Sequence, residues 1–432
     1  MTNSPLVLSK TQEKEFRYWR LRIFFSIYYG YVFFYFTRKA LAFAMPAISK
    51  DLGFDKADLG LIGTMLAVSY GISKLVSGII ADRSDARLFM SVGLFITAIL
   101  NLIFGSVSSL YLFAILWGLN GWFQGFGWPP CARLLAYWYS QSERGTWWAL
   151  WSTSHNVGGA LIAILASWCT QYLGWRYAFY VPGVISAVAS LFLFLTLRDT
   201  PISLGLPPVE VYRKEPEASE AVKQKRILSI KETLMTYVLK NPYIWFLSFA
   251  SFFVYVIRTG VNDWTVLYLT EVYHMSQVKA GSTVFWFEMG GLFGMVVAGF
   301  VSDRLFRGKR GPINLIFMLL VGLPVFAIWS MLGANLIILS IYMFALGFFL
   351  FGPQMLIGCA AVELSHKSAA ATASGFTGLF AYVFGAAFAG YPLGKIIDVF
   401  GWHGFFVVLI ISVVGGAICF LPLLKAHHKR EI

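Results

Sequence analysis

Charge is what this 432-residue chain has least of: only 13% of its residues are Asp, Glu, Lys or Arg, about half the share in a soluble globular domain. A soluble fold of this length would need far more to cover its surface. Cysteine is scarce as well, with 4 residues (Cys131, Cys169, Cys359, Cys419) scattered singly. That excludes a disulfide scaffold and offers no metal-ligand spacing. There is no Walker-type phosphate loop, no Gly-rich turn behind a strand, and no assignable Ser/His/Asp or Cys/His set. An enzyme reading has little to stand on, and neither a cofactor nor a metal is expected. The basic stretch Lys10–Arg22 is followed by no small-residue cleavage pattern, so a cleaved signal is not expected either.

What is abundant is apolar surface. Hydrophobic residues make up 58%, aromatics 18%, and mean hydropathy is +0.68. These values exclude intrinsic disorder and point to an all-α membrane protein. At about 20 apolar residues per crossing, the length accommodates roughly twelve helices. The apolar runs predict twelve spans: 23–42, 60–80, 88–107, 110–137, 146–169 and 178–197, then 244–269, 283–301, 313–332, 336–356, 372–396 and 405–424. The segment 198–240 between the sixth and seventh is rich in charge and proline. The expected organisation is two six-helix bundles, 1–197 and 241–432, joined by a hydrophilic linker.

The net charge of +13 admits nucleic acid, anionic lipid, loop topology or an anionic substrate as explanations, and position decides among them. Most Lys and Arg residues fall on the side of the termini and the linker, whereas the opposite loops hold five: Lys50, Lys56, Arg176, Lys279 and Lys395. The asymmetry predicts cytoplasmic termini and a cytoplasmic linker, and nucleic acid is not needed. The basic cluster at 223–226 reads as solvated or lipid-facing linker.

The halves repeat. Phe33-x-Tyr35-x-x-Arg38 matches Phe253-x-Tyr255-x-x-Arg258 at an offset of 220, and Gly78-x-x-x-Asp82-Arg83 matches Gly299-x-x-x-Asp303-Arg304 at 221. Gly174-Trp175-Arg176-x-x-Phe179 matches Gly401-Trp402-His403-x-x-Phe406 at 227. Two like-folded halves about an axis along the membrane normal place a site near the midplane between them. In the Asp-Arg loops, glycine would permit close helix contact while Asp82, Arg83, Asp303 and Arg304 cap or bridge a short turn. Their expected role is gating, not substrate binding.

Six ionisable residues inside spans are the strong candidates: Arg38, Lys39, Lys74, Arg258, Asp263 and Glu288. Each costs roughly 2.5–3.5 kcal/mol on insertion scales and is a functional candidate by default. By the repeat, Arg38 and Arg258 occupy equivalent places and would face each other across the cavity. Two guanidinium forks suit a multi-oxygen dianion such as phosphate or a phosphomonoester; the alternative is that each pairs with an acid elsewhere. Facing at about 6 Å, they would repel by roughly 3 kcal/mol at an effective dielectric near 20. An empty site would then resist closing and a loaded one would not, which is the logic of obligatory exchange. Lys74, one turn after Tyr70, is either a third cavity cation or a snorkelling side chain. His155 is either a phosphate donor or a satisfied interhelical histidine. Lys39, Asp263 and Glu288 are expected to form a separate set of ion pairs across the halves, serving as a gate or as a purely structural pair. Tyr31, Tyr35, Tyr70, Tyr255 and Tyr382 are candidate cavity hydroxyls, and Gln124, Asn156 and Asn262 candidate readers of sugar hydroxyls.

Over nearly its full length the chain resembles the organophosphate:phosphate antiporter family of the major facilitator superfamily. The resemblance rests on Tyr35-Phe36-Thr37-Arg38-Lys39-Ala40, Gly125-Phe126-Gly127-Trp128-Pro129-Pro130-Cys131, Ser140-Gln141-Ser142-Glu143-Arg144-Gly145, His155-Asn156-Val157-Gly158-Gly159 and Asp263-Trp264. It implies halves rocking around a phosphate clamp at Arg38 and Arg258, with accessory residues at Lys74, His155 and the five tyrosines, and an interdomain charge group at Lys39, Asp263 and Glu288. It further implies a bacterial inner-membrane location, with a hexose phosphate, glucose 6-phosphate foremost, and inorganic phosphate as ligands. The hexose-phosphate branch is the nearest likeness, including its sensors, so a receptor signalling to a membrane kinase stays open beside an antiporter. A proton-coupled carrier of another anion is a third reading. Some hexose-phosphate carriers have an Asp–Lys pair in the eleventh span; the run Tyr382–Tyr391 here is uncharged.

Overall fold

A computed structural model describes residues 9–81, 84–213, 235, 238–331, 333, 335–365 and 370–425. The described residues are helical throughout, with no strand among them. Asp82, Arg83 and the basic cluster at 223–226 lie outside the described residues.

The first half comprises α1 (Lys10–Leu52), α2 (Lys56–Ala81), α3 (Ala86–Ser106), α4 (Leu110–Gln124), α5 (Trp128–Trp138), α6 (Gln141–Ser152), α7 (Ser154–Tyr172) and α8 (Tyr177–Thr196). A short α9 (Val209–Arg213) lies in the linker. The second half comprises α10 (Pro242–Val272), α11 (Gln277–Arg304), α12 (Arg310–Trp329), α13 (Leu336–Glu363), α14 (Ala370–Leu379), a π-helical segment (Phe380–Ala386) and α15 (Tyr391–Phe420). Among the described residues, eight stretches are long and apolar enough to cross a membrane, the last being the 53-residue run Thr372–Leu424. That run is too long for one crossing of about 30 Å. Gly401, at φ 64° where a side chain would be strained, turns it between the expected eleventh and twelfth spans.

The expected fourth and fifth spans each arrive as two helices. In the fourth, Pro129 and Pro130 have no N–H to continue the α-helical ladder, and the chain breaks at Gly125–Gly127. The freed carbonyls are not left bare: Ser73 and Ser77 on α2 donate to the Trp122 and Gly125 oxygens at 2.5 and 2.7 Å. Backbone in a membrane survives only when satisfied in this way.

Glycine sets the closest packing, at other positions than expected. Open space surrounds Gly78, and only the tip of Met355 approaches Gly299, so neither makes the close helix contact anticipated for the Asp-Arg loops. The tight seam runs between α11 and α13. A Cβ at Gly290, Gly294 or Gly347 would fall within 2.0 Å of a carbonyl oxygen on the facing helix; only hydrogen fits there.

The described start of the linker, 198–213, is less solvated than its composition implies. Leu206 and Val209 are buried against the first half, and Glu143 accepts from both Arg20 (2.5 Å) and Arg213 (2.7 Å).

The bonds that tie the halves together run from the middle of the bundle to the end remote from the termini, the distal end. There Asp398 accepts the backbone N–H groups of Lys56 and Ala57 at 3.2 and 2.8 Å. Lys56 pairs with Glu271 at 3.2 Å, Gln171 accepts from the Val278 N–H, and the Gln277 amide donates to the Phe43 carbonyl. The distal end is closed.

Candidate functional site

Midway along α1 and α10, Arg38 and Arg258 reach one buried cavity from opposite halves. Each guanidinium-bearing residue is only 7% exposed. The walls include Tyr35, Tyr70, Tyr255, Thr259 and Tyr382, with Lys39 and Asp263 also contributing. The cavity measures about 70 Å³, well below the ~300–1,000 Å³ of typical ligand pockets. In this conformation it is a small chamber that must widen to admit a whole sugar phosphate.

The arginines are held differently. Arg38 donates through Nε to Gln124 Oε1 at 3.0 Å, and Gln124 in turn donates to the Thr37 hydroxyl at 2.9 Å. The guanidinium carbon lies 4.2 Å from the Tyr70 ring and 4.9 Å from the Tyr35 ring. One of its terminal nitrogens is buried with no acceptor among the described residues. Arg258 instead lies over Phe351 at 5.0 Å and Tyr255 at 5.5 Å, and donates to the Tyr35 hydroxyl of the other half at 3.4 Å. Among the described residues neither arginine forms a salt bridge to a carboxylate. Two buried cations without acidic partners are costly and keep donor capacity for an anion.

Aromatic rings join the halves across the cavity. Tyr382, in the π-helical segment, stands 4.7 Å from Tyr70 and 4.9 Å from Tyr255, with its hydroxyl accepting from Tyr255 at 3.4 Å. Lys74 is not on the cavity wall. Its ammonium lies beside it, 5.4 Å from the Tyr382 ring and 4.8 Å from Trp128. His155 packs behind the wall between Tyr35 and Phe351, at 5.9 and 6.0 Å, with a buried Nε2 that has no partner among the described residues. Tyr31 packs against Trp151 and Tyr35, away from the lining.

The interdomain charges resolve into two groups, not one. Lys39 and Asp263 pair across the halves at 2.8 Å. Glu288 stands apart, fully buried, with its carboxylate taking the Asn262 amide at 2.7 Å and the Asn156 amide at 3.0 Å. The expected three-residue ion-pair set therefore loses Glu288, which two neutral amides solvate where Lys39 cannot. The same contacts relocate the expected sugar readers. The amide donors of Asn156 and Asn262 are spent on Glu288, and Gln124 holds Arg38. At the terminal end Asp303 does bridge its turn, accepting from Arg310 at 2.5 Å, while Arg304 lies over the Phe300 ring at 5.3 Å. Arg310 also binds Glu363 at 2.8 Å.

Phe351, Trp128 and Thr259 also stand at the site, and nothing in hydropathy or charge marks them. The available signals are that Thr259 adjoins Arg258 and that Trp128 lies in the Gly125–Cys131 motif.

Residues 27–390 match the family model described as Major Facilitator Superfamily. The chain is 55% identical to a probable hexose phosphate transport protein of Chlamydia trachomatis, over 96% of this chain and 93% of that one. It is 48% identical to the membrane sensor protein UhpC of Escherichia coli, over 99% and 98%. Its fold matches the crystal structure of a bacterial homolog to the human lysosomal transporter Spinster, in an inward-facing and unoccupied conformation. The TM-score is 0.74 at 16% identity, covering 94% of this chain and 98% of that one.

Proposed function

The chain belongs to the Major Facilitator Superfamily, in its organophosphate:phosphate antiporter branch, and from that premise we propose that it exchanges a sugar phosphate, glucose 6-phosphate foremost, for inorganic phosphate by alternating access. It is a transport protein and not an enzyme. The observation that carries the reading is the convergence of Arg38 and Arg258, one from each half, on a single buried cavity without carboxylate partners. A phosphoryl group supplies what both lack: two or more anionic oxygens, shared between the halves. Lys74 and His155 stand close enough to follow a bound phosphate as the cavity widens, and Tyr35, Tyr70, Tyr255 and Tyr382 offer hydroxyls around it. Tyr31, Gln124, Asn156 and Asn262 act from behind, by packing or by holding charged neighbours.

The halves are the rocking bodies, 1–197 and 241–432, with 198–240 as their linker. The Lys39–Asp263 pair is the mobile charge contact between them, and the Asp82-Arg83 and Asp303-Arg304 loops govern the terminal end. The excess of Lys and Arg on the side of the termini supports both termini in the cytoplasm, and the bacterial relatives support a bacterial inner membrane.

A second reading has its own support in the 48% identity to a membrane sensor protein: a receptor for external hexose phosphate that signals to a membrane kinase. Purified protein in liposomes separates the two. Exchange of labelled phosphate for glucose 6-phosphate is the expected result; ligand binding with no exchange would replace the carrier by the sensor.

A further inference from the structure

The eleventh span is interrupted between the π-helical segment and α15, where Ala389 and Gly390 leave the helix. Gly390 has φ −87° and ψ −110°. Interrupted backbone inside a membrane needs partners for its freed N–H and C=O groups. Here two of the groups flanking the break are satisfied by one side chain from the other half. The Thr64 hydroxyl on α2 donates to the Ala387 carbonyl at 2.9 Å and accepts the Tyr391 N–H at 2.8 Å. Trp264 of the same half as the break donates to the Ala389 carbonyl at 2.7 Å. The approach is too close for any side chain: a Cβ at Gly390 would meet the Thr64 hydroxyl at 2.2 Å, and one at Gly60 would meet the Gly390 carbonyl at 2.5 Å.

We infer that Thr64 is a positioning residue that stitches the break in the eleventh span only while the distal end is closed, and so couples that closure to the cavity. This deepens the transport reading and rests on it. The physical chain is short. Separating the halves at the distal end withdraws α2, and Thr64 with it, from α15. The Tyr391 N–H then loses its partner and the Ala387 carbonyl keeps only the Gly390 N–H at 3.1 Å, and either water of the opened cleft takes the freed sites or the break closes into regular helix. The π-helical turn lies immediately before the break, and π-turns recur at functional sites where a register shift re-aims a side chain. Its Tyr382 lines the cavity and touches Tyr70 and Tyr255. A change at the break therefore moves a ring that contacts both halves beside the arginines. Each of the other distal contacts has one partner at a helix end; Thr64 lies within α2 and bonds the backbone on both sides of a break that continues into the site.

The test uses the full chain in membrane vesicles, with Ala42→Cys on the cavity wall as a reporter for an impermeant thiol reagent added from the distal side. Parallel samples without the reporter correct for the native cysteines. Thr64→Val keeps shape and removes the hydroxyl. It should raise the labelling rate about tenfold, the shift in the closed-to-open ratio expected from losing both hydrogen bonds that Thr64 makes across the halves. Thr64→Ser, which keeps the hydroxyl, should label like the parent. If Thr64→Val does not reach the membrane, Thr64→Ala removes the same hydroxyl with less bulk. Parent-like labelling of the hydroxyl-free variants would overturn the inference, as would equal acceleration in Thr64→Ser. Labelling needs no substrate. Its failure is thus distinct from failure of the exchange reading, which phosphate exchange by the unmodified protein decides.

Discussion

The two halves of this protein carry the same arginine at the same place and surround it differently. In the first half Arg38 is fixed: Gln124 holds its Nε, and Tyr70 and Tyr35 flank its guanidinium. In the second half Arg258 rests on Phe351 and Tyr255, and its one long hydrogen bond reaches Tyr35 in the opposite half. The repeat has kept the charge, and the anchors differ. A rigid fork in one half and a looser one in the other give a site that can receive an anion on Arg38 and close Arg258 onto it.

The largest effects come from the forks themselves. Arg38→Lys and Arg258→Lys each keep the charge and lose the bidentate geometry. Each should lower phosphate exchange about a hundredfold or more, within the 2–5 kcal/mol that truncating a buried charged partner costs. Near-normal exchange in either variant removes that residue from the clamp. The anchors come next and test the asymmetry. Gln124→Leu removes a hydrogen bond to a cation, worth about 1.5–3 kcal/mol, and should raise the apparent KM for phosphate by tenfold or more. Phe351→Leu removes a cation–π contact worth about 0.5–2 kcal/mol and should raise it only several-fold. The reverse order would break the comparison. The charge pair outside the clamp is read on the exchange rate rather than on KM. Lys39→Met or Asp263→Asn leaves a partly buried charge alone and should slow exchange about tenfold, while the double substitution recovers part of the loss because no lone charge remains. Additive losses would show that the pair is not one unit.

The broad plan was legible in the sequence because hydropathy and the repeat are written into residue order. Spans, halves and the two arginines follow from where apolar runs stop and where charge interrupts them. Asp263 was legible as a partner for Lys39 because one acid and one base lay on the same pair of spans. Glu288 was misassigned to that set because sequence gives the sign of a buried group but not the direction of its neighbours, and two asparagines thought to face the cavity face the carboxylate. The breaks at Gly125–Gly127 and at Gly390 were hidden for a related reason. Hydropathy reports how apolar a segment is, whereas a break depends on which hydroxyls reach its freed backbone groups, and Ser73, Ser77 and Thr64 lie on a different helix.

Two guanidinium groups facing an empty cavity oppose its closing, and an anion between them reverses the sign of that term. The direct test loads liposomes containing the purified protein with inorganic phosphate, or leaves them empty, and measures uptake of labelled phosphate from outside. Uptake into loaded vesicles with almost none into empty ones is the predicted result; equal uptake into both would contradict the account.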